Sequence, residues 1–450
     1  MSSDARRLTG ACVLVAAMTM ATSASAEVTA ITGGEVHTVS GDVIPDGVVV
    51  LGEDGVIQAV GPAGTAVPAG ATVVDASGKV VTPGLVDAHS QLGLIEIWAV
   101  TATRDSGGAG GAVRASYVAT DGFDPGSAVI AVQRSGGVTD AVVVPSGGVI
   151  SGFAGWTTLA DASSPHLEGK VVTPKVALSV TMGASGAGAA GGSRGLLVAM
   201  LTELFEDARF LEKNAKAFGE NRSRKLSASR GDLAALGEVL STQGAPVLFH
   251  VNRVSGIRAA LALAKENGLR PIIVGGAQAW KIADELAEAK AVVMVNTMSN
   301  LPSRFESLGA RSDAAAMLTA AGVDVIVATF ESHNARKLRQ FAGNAIRAGM
   351  PREAALRAVT LAPAQALGEG ARRGSLEVGK VANVVVWSGD PFELSTKVDA
   401  MFIDGAPVGL GSRQTELFER YRTIERRGAP AAPTTIDEVD EEEPEQGDDA

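Results

Sequence analysis

The stretch from Pro246 to Val295, PVLFHVNRVSGIRAALALAKENGLRPIIVGGAQAWKIADELAEAKAVVMV, decides the fold. Val247-Leu248-Phe249 is an unbroken apolar run followed by a helical pattern over about 255–267. Pro271-Ile272-Ile273-Val274 is a second run with a helical pattern over about 277–289, and Val292-Val293-Met294-Val295 is a third. Runs that are apolar at every position belong to strands buried on both faces, and alternation with amphipathic helices belongs to a parallel sheet. Upstream, Leu85-Val86 after Pro83-Gly84, Val138 to Val144 and Val176 to Val180 continue the rhythm; downstream, Val323 to Ala328 does. Seven or eight such units predict a (β/α)8 barrel over residues 83–371. Arg194 to Phe218 reads as one long helix whose stripe of Leu197, Met200, Leu201, Leu204, Phe205 and Ala208 serves core packing.

The flanks keep a different period. Short apolar runs separated by turns fill 29–75, and Asn383 to Trp387 with Ala400 to Ile403 repeat them, Asp404-Gly405 serving as a hairpin turn. Two small sets of strands cannot each hold a sheet, so residues 27–82 and 372–427 are expected to build one β-sandwich, followed by a C-terminal helix. Residues 1–26 read as a cleaved signal, with Arg6-Arg7, an apolar segment and Ala24-Ser25-Ala26, which predicts a periplasmic or secreted protein. The single cysteine, Cys12, falls inside that leader, so cysteine chemistry is excluded from the mature chain.

Hydrophobic residues make up 46% of the 450, enough for a large core. Asp437 to Asp449 contain nine acids and no base; without them a net charge of −11 becomes −2. Residues 428–450 therefore read as a disordered acidic tail, and the nearly neutral remainder offers no basic face for nucleic acid. No run is long enough to span a membrane. Gly183 to Gly195 is glycine-rich but lacks the Lys-Ser/Thr ending of a nucleotide loop, and is read as a connection.

Val81-Thr82-Pro83-Gly84-Leu85-Val86-Asp87-Ala88-His89-Ser90-Gln91-Leu92-Gly93 resembles the first barrel strand of the amidohydrolase superfamily, specifically exported members similar to imidazolonepropionase and related amidases. Ile31 to Gly34 with Val73 to Gly78, His333 to Ala364, and Gly374 to Pro391 resemble further segments of the same family in the same order. The resemblance implies a hydrolase of carbon–nitrogen bonds, on cyclic amides or dipeptide-like substrates, with a metal site at the C-terminal mouth of the barrel. The family's ligands are a His-x-His pair from strand one, histidines from strands five and six, and an aspartate from strand eight.

Here His89 keeps the first position and His250 fits strand five, but Gln91, Gly275 and Phe330 stand where further ligands belong. The resemblance then implies at most one divalent ion, zinc by donor type, or none. His89 and His250 are the expected ligands, with Glu331 or His333 as third ligand and catalytic group. The bland alternative makes them hydrogen-bonded remnants. Asn252 and Arg253 are expected at the pocket mouth, and Arg336 and Arg339 either bind a substrate carboxylate or form surface ion pairs. His166 reads as a solvated loop residue and His37 as structural. The other functional class is an inactive relative that binds a small molecule, forms a homo-oligomer or pairs with an active amidohydrolase.

Overall fold

The computed structural model describes residues 27–108, 110–160, 171–220 and 222–422. The leader at 1–26, His166 and the acidic tail lie outside the described residues. The chain opens with β1 (Thr29–His37), β2 (Val43–Leu51), β3 (Ile57–Pro62), β4 (Thr72–Asp75), β5 (Val80–Pro83) and β6 (Leu85–Ser90). Then come α1 (Ala128–Arg134), β7 (Val138–Val143), β8 (Ile150–Thr158), β9 (Val171–Thr181), α2 (Ala184–Ala189), α3 (Arg194–Gly219) and α4 (Arg230–Ser241). From there strands and helices alternate: β10 (Pro246–Val251), α5 (Val254–Glu266), β11 (Arg270–Gly275), α6 (Ala283–Glu288), β12 (Val292–Val295), α7 (Ala314–Ala320) and β13 (Asp324–Val327). The series ends with α8 (Leu338–Arg347), α9 (Arg352–Ala358), α10 (Leu361–Ala366), β14 (Val384–Trp387), β15 (Val398–Ile403), β16 (Ala406–Pro407) and α11 (Arg413–Tyr421).

β6 to β13 form one eight-stranded sheet in chain order, and a parallel bridge between Ser90 and Glu331 brings its two edges together. The result is a nearly closed barrel. It departs from the expected (β/α)8 arrangement at one place: β8 pairs antiparallel with both β7 and β9. A parallel connection needs a dozen or more residues, whereas only 144–149 separate β7 from β8. Gly147 and Gly148, at φ +91° and +72°, turn the chain straight back. The Ser146-Gly147-Gly148 turn was the available signal for this hairpin.

Along β10 to β13 residues alternate between two apolar clusters. Phe249, Ile273, Val293 and Val325 pack with the helices, while Leu248, Ile272, Met294 and Ile326 form the other cluster, on the inner face. α3 buries Leu197, Leu201, Leu204, Phe205 and Ala208 of its expected stripe, with Met200 only partly buried. The second expected helix is shorter than its pattern, beginning as a 3-10 turn at Ala279–Ile282 before α6.

The remaining strands, β1 to β5 and β14 to β16, make a single sheet in which β14 pairs with β5. Strands from the two ends of the described chain thus share one ladder. Val49 and Leu51 face one apolar cluster and Val48 and Val50 another, as period-two alternation requires. Asp404 and Gly405 both take positive φ, 52° and 76°, in the turn between β15 and β16. α11 belongs to a separate compact unit from Gly411 onward, where Ser412 and Thr415 form a reciprocal capping box. Among the described residues no helix is long and apolar enough to cross a membrane.

Candidate active site at the barrel mouth

His250 follows Leu248 by two residues on β10, so strand alternation turns its ring to the inner face. There it lines a cavity of about 830 Å3 at the C-terminal ends of the strands. His89, on β6, stands beside it with ring centroids 5.2 Å apart and planes at 74°. Phe330 lines the cavity too and packs edge-on against His89, 4.5 Å between centroids. Both ring nitrogens of His89 are buried without a hydrogen-bond partner. The Nε2 of His250 lies 3.0 Å from the Ser179 hydroxyl on β9.

Burial disfavours charge on both imidazoles. It lowers His250 to about 4, and it holds His89 well below its ordinary value, with the neighbouring His250 as second cause. Two neutral rings therefore face each other at neutral pH. Beside them Asp87 is fully buried, and desolvation raises its carboxyl to about 7 against the opposing pull of its hydrogen bonds. The Thr329 N–H donates to Asp87 at 3.0 Å and the Thr329 hydroxyl donates to its other oxygen, tying β6 to the chain beyond β13. Phe330 follows with φ +57° and donates its N–H to the His89 carbonyl at 3.0 Å. A bulky side chain in that backbone region is a local outlier of the kind found at functional sites.

The structure sorts the other residues singled out by sequence. Asn252 lines the cavity, and its Oδ1 accepts the Ala277 N–H at 3.2 Å. Arg253 instead stacks on Phe305, 5.3 Å from the ring centroid. Glu331 is exposed on the cavity wall. His333 is occupied elsewhere: its Nδ1 lies 3.1 Å from the Ser332 hydroxyl and its Nε2 lies 3.0 Å from the Glu96 carbonyl. Arg336 donates to the His333 carbonyl, and Arg339 donates to the carbonyls of Pro391 and Glu393. Neither Arg336 nor Arg339, for which the sequence leaves carboxylate binding and surface ion pairing both open, is among the residues lining the cavity, and their bonds to backbone carbonyls hold loops in place. Gln91 is also absent from that wall, and its backbone N–H reaches the Glu331 carbonyl at 3.4 Å. His37 sits on β1 with Nε2 2.7 Å from Glu35.

Gly275 and Gly276, where a strand-six histidine belongs, take φ +93° and +57°. A Cβ at Gly275 would fall 2.7 Å from Asn252 Oδ1, and the positive φ is one that side chains other than glycine's rarely adopt. Sequence reasoning missed the loop after β12, which contributes Asn300, Ser303, Arg304, Glu306, Ser307 and Arg311 to the cavity. It carries no motif. Its only signal was a run of polar residues following a strand end, where barrel enzymes place their chemistry.

Two neutral imidazoles suit a zinc-like ion, and the unpartnered nitrogens of His89 are the buried atoms such an ion would satisfy. Among the described residues no three His, Cys, Asp or Glu side chains group closely enough to hold a metal. Catalytic zinc takes three protein ligands. The residues present thus fit one ion with two protein donors at most, and they do not fit a two-metal centre.

A profile of the Amidohydrolase family matches residues 190–408. The curated amidohydrolase tasK of Hapsidospora irregularis is 24% identical over 368 residues, covering 75% of this chain and 37% of its own. The chain thus spans little more than a third of the length of the curated relative it matches. Among solved structures, an amidohydrolase from Thermotoga maritima MSB8 aligns with TM-score 0.76 and 26% identity over 85% of this chain and 99% of that one. A molinate hydrolase aligns with TM-score 0.53 and 18% identity over 86% and 95%, which shows the shared fold alone. The barrel, the family profile over residues 190–408, the curated relative and the Thermotoga structure together support membership of the amidohydrolase superfamily.

Proposed function

We propose that the protein hydrolyses a carbon–nitrogen bond of a small cyclic amide or dipeptide-like molecule held at the barrel mouth. The observation that carries this reading is the pair of half-buried imidazoles, His89 and His250, beside a cavity large enough for such a ligand. His89 and His250 would hold a single divalent ion, which when bound supplies Lewis acidity and lowers the pKa of a bound water. The chain's own part is positioning. Ser179 fixes the His250 ring through Nε2, leaving Nδ1 as the remaining nitrogen. Asp87 locks the closing seam behind His89 through Thr329. Phe330 screens His89 from water on the cavity side.

A second reading has its own support. Phe330 standing on His89, together with the missing third donor, favours a relative that binds its ligand without turnover and pairs with an active amidohydrolase. One set of measurements separates the two. The purified protein is assayed for amine release from N-acyl amino acids, dipeptides and cyclic amides, with metal content determined on the same sample. Turnover that is lost with chelator and in His250→Ala, at no more than one ion per chain, supports the hydrolase. Ligand binding without turnover supports the second reading, and turnover that survives His250→Ala overturns the site. The leader-like segment at 1–26 supports an exported protein, which the mass of the native N-terminus tests.

A further inference from the structure

We infer that Arg304 makes this cavity selective for ligands bearing a carboxylate. The inference rests on the proposed ligand site but not on turnover. Four charged side chains of the cavity wall decide it: Arg304, Glu306, Arg311 and Glu331. Two of them are already matched. Glu306 is ion-paired with Arg194, and Arg311 grips Asp313 with two bonds of 2.5 Å while stacking on Trp280. Arg304 has no carboxylate partner among the described residues, although it belongs to a wall where the other arginine is paired.

Its backbone is held in place. The Arg304 N–H donates to the Ser307 hydroxyl at 3.1 Å, and the Ser307 N–H returns a bond to the Arg304 carbonyl at 2.9 Å. On either side of that turn the Glu306–Arg194 pair and the Phe305–Arg253 stack fasten the loop to α3 and to the end of β10. The fixed backbone places the exposed Arg304 side chain at the wall, and its planar fork matches a carboxylate with two parallel bonds. Glu331 adds direction. Its carboxylate on the β13 side of the wall is likewise without a cationic partner among the described residues and repels an anion from that side. Ser303, Ser307 and Asn300 stand near Arg304 in sequence, while Val251, Val274, Val295 and Phe330 supply apolar surface elsewhere on the wall. A small acid whose amide lies toward His250 and whose carboxylate lies toward Arg304 satisfies every unmatched charge but Glu331.

The test is binding by calorimetry to the full chain, with N-acetyl-L-alanine and its uncharged N-methylamide as the probes. The acid is expected to bind at least about tenfold more tightly than the amide, as one charge-assisted bidentate contact provides. Arg304→Gln should remove that preference, Arg304→Lys should keep part of it, and Arg336→Gln, outside the cavity, should leave it intact. Equal binding of acid and amide, no binding of either, or an undiminished preference in Arg304→Gln overturns the inference. Failure here and failure of the hydrolase are distinguishable. An Arg304-dependent preference with no amine release sinks the hydrolase alone, and release from neutral substrates indifferent to Arg304→Gln sinks the inference alone.

Discussion

The two ends of the barrel differ in how fully they match their buried polar groups. At the seam with the sheet of β1 to β5 and β14 to β16, Asp140 on β7 accepts four bonds: from Trp156 Nε1 at 2.8 Å, Arg373 at 2.9 Å, Asn383 Nδ2 at 2.7 Å and the Thr139 hydroxyl at 2.7 Å. Arg373 reaches on to Asp404, and Trp387 donates to the Thr82 hydroxyl at 2.9 Å. At the mouth, His89 buries two nitrogens with no partner, and Asp87 is held by Thr329 alone among side chains. A buried polar group left unmatched costs about 1–3 kcal/mol; at the seam the Arg373 Nε is so placed within a dense network, whereas at the mouth neither ring nitrogen of His89 has a partner. The seam is therefore built to hold the molecule together, and the mouth is built around what it binds.

Breaking the seam gives the largest expected effect. Asp140→Ala strips four donors of their acceptor and leaves the buried Arg373 guanidinium with Asp404, at an expected loss of about 3–5 kcal/mol. Denaturant unfolding measures it. His89→Ala at the mouth should lose far less, since no protein hydrogen bond goes with it. If the two variants lose equal stability, the contrast between the ends is wrong.

Gly275→His tests whether the lost strand-six ligand is a single substitution away. The new side chain would have to adopt φ +93° and displace Asn252, so destabilisation of about 1–3 kcal/mol is expected, with no gain in zinc binding. A stable variant that binds zinc more tightly would show that the backbone at 275–276 adapts freely.

Arg339→Ala sharpens the reassignment of that residue. It removes bonds to the carbonyls of Pro391 and Glu393 and a contact 5.9 Å over Trp387, so about 1–2 kcal/mol of stability should be lost. Ligand binding at the mouth should not change, and a calorimetric change there would return Arg339 to the cavity.

How far the sequence could be read follows the same division. The apolar runs of β10 to β13 carry their own burial pattern, and the histidine at the end of β10 inherits its direction from Leu248 two residues earlier. The hairpin of β7 and β8 is not legible in the same way, because ISGFAGWTT, interrupted by Ser, Gly and Thr, carries no continuous apolar run although the fold buries all of it. Site residues close to strand ends, such as Asn252, were legible. Those fixed by long-range contacts were not. Nothing local tells that His333 reaches back to the Glu96 carbonyl or that Arg339 faces the 391–394 loop, separations of 237 and 52 residues. Arg304 was invisible for a further reason: its significance lies in lacking a partner, which only the arrangement of the surrounding acids reveals.

The smallest effect is also the one that bears most directly on the mouth. Phe330 occupies a left-handed backbone position at φ +57°, which an aspartate tolerates better than a phenylalanine, so Phe330→Asp should fold without new strain. The substitution removes the ring lying 4.5 Å from His89 and puts a carboxylate in its place, giving His89 and His250 the third donor that catalytic zinc takes. Zinc affinity measured by calorimetry should rise at least about tenfold, about 1.4 kcal/mol. Phe330→Asn, equal in size and in backbone preference but uncharged, should give little of that gain. Adding His89→Ala to Phe330→Asp should remove it, because His89 is the only imidazole that strand β6 contributes. If aspartate and asparagine raise affinity alike, relief from the phenyl ring rather than a new ligand is responsible. If neither does, the two imidazoles do not share an ion, and the mouth is a binding site for organic ligands alone.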